Sequence, residues 1–116
     1  MPRDSRVYLE DILAACARIR SYVGVMGVDE FRQDGKTVDA VARNLEIIGE
    51  AVKQLPEDVR SRDPSVEWPK IAGLRDVLIH SYSSVDLDII WDIVANKLPA
   101  LEDRVKVLLL RSLNGT

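Results

Sequence analysis

The residues of this chain that could do chemistry gather in one short run, Arg75-Asp76-Val77-Leu78-Ile79-His80-Ser81-Tyr82. It holds the only histidine of the 116-residue sequence, with an arginine, a carboxylate and a tyrosine beside it. An imidazole that titrates near neutrality can both take and give a proton. A guanidinium keeps its charge throughout and can grip two oxygens of one phosphate. On a helix, Asp76 and His80 stand one turn apart, so the carboxylate could orient the ring. Arg75 and Tyr82 share a face if the helix persists. Arg75 and His80 lie roughly 140° apart around such a helix. They converge only if the helix ends near His80, or if residues of two chains meet in one cleft.

Each of these residues also has an ordinary role. His80 alone reads as a partly buried helical histidine bonded to Asp76 or to a backbone carbonyl. Arg75 alone reads as a surface ion-pair partner, and Tyr82 as a helix-end residue with a buried ring and a wet hydroxyl. The rest of the sequence offers little competing chemistry. One histidine and one cysteine, Cys16, leave no His/Cys zinc site within a protomer. There is no glycine-rich phosphate loop, no dinucleotide fingerprint and no serine in a nucleophile turn. Neither a metal nor a cofactor is expected.

The elements that must position this run are helices. Tyr8, Ile12, Cys16, Ile19 and Val23 recur at helical steps, which predicts a first helix from about Arg6 to Val23 with Asp4 or Ser5 as cap. Gly24 and Gly27 break the pattern, and Asp29 to Gly35 reads as a polar connector with room for one helical turn around Phe31. Val38, Val41, Leu45, Ile48, Val52 and Leu55 form a seam that predicts a second helix over about Thr37 to Leu55, stopped by Pro56. A short turn follows over Glu57 to Arg62. Trp68-Pro69 opens a third helix, with Ile71, Leu74 and Leu78 on its buried side. Ser81 to Ser84 interrupt it, and a helix resumes from Asp86 to Asn96. Pro99 then either kinks that helix or starts the last one, which carries Leu101, Val105 and Leu108 and frays from Ser112. With no strand-like alternation, the fold class is all-α: a four- or five-helix up-and-down bundle.

Residues outside the run carry weaker signals. The Val38–Leu55 seam is core packing. Glu46 and Glu50, beside Gly49, either meet polar groups of the site or stay solvated. Trp68 and Trp91 read as core or dimer-contact aromatics, with base stacking the alternative. The pairs Arg18/Arg20 and Arg60/Arg62 either track a nucleic-acid backbone or serve solubility.

Bulk properties bound the setting. The length suits a single domain over residues 1–116. The sequence is 47% hydrophobic and 30% charged, an ordinary globular balance. A net charge of −3 argues against indiscriminate nucleic-acid binding, though not against a few local arginines in a cleft. The lone cysteine fits a reducing compartment, and no signal peptide or membrane span is expected, so a cytoplasmic protein is.

The run Gly73 to Tyr82 resembles the Arg-x4-His-x-Tyr motif of HepT-like toxins in the HEPN superfamily. Val85-Asp86-Leu87 and Trp91 resemble what those proteins carry after the tyrosine. Arg43-Asn44-Leu45-Glu46-Ile47-Ile48-Gly49-Glu50-Ala51 is similar to their second helix, and Tyr8-Leu9-Glu10-Asp11-Ile12-Leu13 to their opening one. Asp76 departs from a pattern in which asparagine is also common there; a carboxylate could repel phosphate, and its auxiliary role is open. The resemblance implies a HEPN-type bundle and a metal-independent endoribonuclease, the toxin of a type II/VII-like toxin–antitoxin pair. It implies a homodimer with the motifs lining the cleft between subunits, and a minimal nucleotidyltransferase (MNT) as antitoxin, in a higher hetero-oligomer or not. Arg75 would bind the scissile phosphate and His80 would act as base or acid on RNA. Tyr82 would accept AMP groups from the partner, which silences the toxin. The alternative is a non-catalytic HEPN module that binds nucleotides or scaffolds the nucleotidyltransferase.

Overall fold

A computed structural model describes residues 4–79 and 84–113. Among them every regular element is a helix, joined by short turns, with no strand. The segments are α1 (Ser5–Val23), α2 (Val28–Gln33), α3 (Gly35–Gln54), α4 (Glu57–Arg60), α5 (Trp68–Ala72), α6 (Leu74–Ile79), α7 (Ser84–Asp92) and α8 (Leu98–Leu113). A π-helical turn, Ile93–Lys97, joins the last two. The all-α bundle expected from periodicity is the fold observed.

Asp4 is the cap of α1: its side chain accepts the Arg6 N–H at 2.9 Å, so the helix begins at Ser5. Gly24 ends it at φ +53°, a left-handed conformation that L side chains rarely adopt. The Asp29–Gly35 connector is more ordered than its polarity suggests. It is the short helix α2, held because Phe31 is fully buried and its ring lies 5.3 Å from that of Trp91. Asp34 then caps α3 by accepting the Thr37 N–H at 3.1 Å.

The helices α1 and α3 form the central pair. Arg18 on α1 donates to the buried Asn44 Oδ1 at 2.7 Å, while Tyr8 near the start of α1 faces Ala51 and Gln54 near the end of α3. The two therefore run antiparallel. The seam residues Val41, Leu45, Ile48, Val52 and Leu55 meet Leu9, Ile12, Cys16 and Ile19 in one core, with Val38 packed at its edge. Helix α8 adds Leu98, Leu101, Val105 and Leu108 from the other side of α1. It too is antiparallel to α1, pinned where Arg20 grips the mostly buried Glu102 with contacts of 3.0 and 2.5 Å. Burial pushes the Cys16 thiol up to about 12, aided by the nearby Glu102 charge.

Two helices differ from the periodic expectation. The third is broken at Gly73 into α5 and α6. Of the two alternatives at Pro99 the second holds, since α8 begins at Leu98 with Pro99 in its first turn; the helix before it ends in the π turn, in which the Leu98 N–H reaches back to the Ile93 carbonyl. Proline has no N–H to offer and its ring crowds the carbonyl one turn back, so a wider turn relieves both problems. At the far end α8 continues to Leu113, and the Ser112 hydroxyl donates to the Leu108 carbonyl at 3.0 Å.

Candidate functional site

The segment that leads to the chemistry-bearing run is built from a buried clamp. Asp63 is 3% exposed and accepts Arg104 Nε from α8 at 2.5 Å and the Ser65 hydroxyl at 2.5 Å. The Arg104 guanidinium holds its carboxyl below the usual carboxylate range. The backbone around it then receives Trp68: the buried indole N–H is shared between the Arg60 and Asp63 carbonyls, each at 3.0 Å. Pro69 follows in the first turn of α5, where its fixed φ suits a helix start.

From there α5 and α6 cross α3 at close range. Gly49 is the reason they can: a Cβ placed on it would come within 3.1 Å of the Ile71 carbonyl oxygen and 3.7 Å of Leu74 Cβ. Both first contacts are with backbone or Cβ, which cannot swing aside. Leu74 and Leu78, one turn apart on α6, are buried against this surface. That orientation turns Arg75 and Asp76 outward, and both are exposed. Arg75 has no hydrogen-bond or ion-pair partner among the described residues, so its guanidinium is available to an external anion. His80 and Tyr82 lie outside the described residues. The structure thus positions Arg75 and Asp76 at the start of the run, and the expected pairing of Asp76 with His80 falls beyond what is described.

The secondary candidates sort out clearly. Glu46 and Glu50 do not turn toward α6. With Tyr8, Asp11 and Arg43 they line a groove of about 390 Å³ between α1 and α3, and Arg43 approaches Glu46 at 3.5 Å. Arg18 and Arg20 are engaged in holding α1 to α3 and α8. Arg62 pairs with Asp58 at 3.8 Å. Trp68 is core, and Trp91 is half-buried on Phe31. Sequence reading missed the supports of the site, Gly49 and the Asp63–Arg104 clamp. Gly49 breaks an otherwise good helix former's run, which is a usable signal of close approach. Asp63 and Arg104 are too far apart in sequence for any local pattern to link them.

Comparison with known proteins supplies the family. The model described as Ribonuclease HepT-like matches residues 12–108. The chain belongs to the HepT-like family. Among HepT-like relatives, "Putative RNase MJ0127" of Methanocaldococcus jannaschii is 51% identical over 100 residues, covering 85% of this chain and 83% of that protein. "Putative RNase TTE0752" of Caldanaerobacter subterraneus is 43% identical, over 90% of this chain and 93% of that one. "Probable ribonuclease HepT" of Thermococcus cleftensis is 39% identical, over 93% and 98% respectively. No solved structure matches the chain. The HepT-like match runs from within α1 to within α8 and so includes the whole of α3, α5 and α6 with the run from Arg75 to Tyr82.

Proposed function

We propose that this HepT-like protein is a toxin endoribonuclease that cuts RNA without a metal ion. The observation that carries the reading is Arg75: an exposed guanidinium without a partner among the described residues, on a helix fixed to the core by Leu74, Leu78 and the Gly49 crossing. A cation held this way costs little reorganisation when it meets a phosphate. In the proposed reaction His80 removes the proton of a ribose 2′-hydroxyl, and the 2′-oxygen attacks the adjacent phosphorus. Arg75 neutralises the charge that develops on the non-bridging oxygens. The 5′-oxygen leaves with a proton supplied by an imidazolium, and a 2′,3′-cyclic phosphate remains.

Each chain has one histidine, while this reaction uses a base and an acid. Two chains that face each other across a homodimer cleft supply both from the two copies of His80. Asp76 orients the imidazole from one turn back. Tyr82 is the acceptor for AMP transferred by an MNT-type nucleotidyltransferase antitoxin; the added phosphates then occupy Arg75 and exclude RNA. The protein acts in the cytoplasm, where its RNA substrate is.

The deciding experiment is cleavage of total cellular RNA in EDTA by the freshly purified chain, with Tyr82 shown unmodified by mass spectrometry, beside His80→Ala. Cutting that leaves cyclic phosphate ends and vanishes in the variant is expected. An unmodified chain that leaves RNA intact would move the assignment to a non-catalytic module of the antitoxin complex.

A further inference from the structure

A second cavity, of about 470 Å³, lies between α5–α6 and the π turn. Its size falls in the roughly 300–1,000 Å³ range of sites that hold one small ligand. Its floor is aliphatic, made by Ile71, Leu74, Ile93 and Leu101. The rim is charged, and Lys70, Lys97 and Arg104 outnumber Glu67 there. Lys70 Nζ lies 2.6 Å from Glu67, and Arg104 lies 2.5 Å from Asp63. Lys97 has no carboxylate within 4.0 Å among the described residues and acts on Glu67 only at longer range. It leaves the rim with a positive surplus at an exposed position.

The π turn makes this arrangement. Its extra residue per turn widens the helix where Ile93, Asn96 and Lys97 line the groove. The opposite wall is the start of the catalytic run: Leu74 in the floor is the residue immediately before Arg75. An aliphatic floor beneath a positive rim is complementary to an anion with an apolar body, and a nucleotide is such a ligand. Arg75 follows Leu74 directly on α6, so one short helix carries both the proposed phosphate site and a wall of the groove.

We propose that the groove is a docking subsite for an RNA nucleotide adjacent to the cleaved bond. Its base or sugar face rests on Ile71, Leu74, Ile93 and Leu101, and its phosphate is held by Lys97 with Lys70. This inference rests on the ribonuclease reading and deepens it. No aromatic ring lines the groove among the described residues, so the subsite adds affinity and register without selecting a base.

The test uses the full chain and a fluorescent single-stranded oligonucleotide with 2′-O-methyl sugars, which binds and cannot be cut. Anisotropy is measured across a salt series for wild type, Lys97→Gln, Lys70→Gln/Lys97→Gln and Ile93→Trp, with Lys53→Gln on α3 as the control. Loss of one phosphate contact lowers the slope of log affinity against log salt by about 1. The expected result is that slope change for Lys97→Gln and roughly tenfold weaker binding for the double variant. Ile93→Trp, which fills the floor, weakens binding with the slope kept, and Lys53→Gln changes nothing. Variants that cut natural RNA and bind with wild-type affinity and slope overturn the subsite alone. Ile93→Trp that alters the oligomeric state but not RNA binding also overturns it, and makes the groove a protein contact. A wild-type chain that binds the oligonucleotide but cuts no RNA defeats the ribonuclease reading, while the same anisotropy still decides the subsite.

Discussion

At the scale of single residues, Arg75 and His80 divide the proposed work, and their substitutions should fail differently. Arg75→Ala removes the charge that meets the phosphorane, with an expected loss of about 10²–10³ in kcat. Arg75→Lys keeps the charge but not the fork, and should recover part of that loss in the same gel-based cleavage assay. His80→Ala should lose about 10²–10⁴, as general acid–base groups do. Tyr82→Phe should still cut RNA yet escape neutralisation when the proposed nucleotidyltransferase antitoxin and ATP are added. Neutralisation of that variant through a modified residue elsewhere would refute the Tyr82 assignment. The run was legible in the sequence because its residue types are rare here: one histidine, flanked by a cation and a phenol. What holds Arg75 outward was not legible, because that depends on Leu74 and Leu78 finding α3.

At the scale of elements, the crossing of α3 with α5 and α6 is the joint most exposed to substitution. Gly49→Ala gains helix propensity of about 1 kcal/mol but drives a methyl toward the Ile71 carbonyl, a rigid neighbour. Overpacking of this kind costs about 1–3 kcal/mol, so a net loss is expected in denaturant unfolding, with cleavage lowered as α6 is displaced. The Asp63–Arg104 clamp sets an acid limit. Arg104 depresses the folded carboxyl relative to the unfolded chain, so the folded state binds that proton more weakly. The clamp contributes fully above the ordinary carboxylate range and is lost as pH falls through the depressed value. Asp63→Asn should flatten the acid limb of a melting-temperature profile, and Arg104→Ala should lower the melting temperature at neutral pH by leaving the buried Asp63 carboxylate without its cation. The helices themselves were visible as apolar stripes, above all the Val38–Leu55 seam. The breaks were less so. Gly73 sits inside a pattern that a single long helix also satisfies. The π turn keeps a helical backbone on both sides of Pro99, so periodicity registers only a proline and not how the chain accommodates it. Phe31 was the one apolar anchor in a polar connector, too little to show that α2 would fold onto Trp91.

At the scale of the whole molecule, the bundle is elongated, 45 × 27 × 27 Å. Pairing of two copies would bring a second run to the first. Mixed dimers of wild-type and His80→Ala chains, purified through two different tags, should cut far more slowly than wild type, and full activity per mixed dimer would exclude a shared site. The architecture around Cys16 has a further consequence. The thiol sits 1% exposed where α1 meets α3 and α8, with its ionisation pushed far above neutrality. No alkylating reagent reaches it without separating the helices that carry the rest of the fold. The chain therefore contains a single-atom clock of its own opening: with reagent in excess, the labelling rate at Cys16 times the parting of the bundle. Substitution at Gly49 or Arg104 should speed that clock, and loss of Arg75 at the surface should leave it running at its native rate.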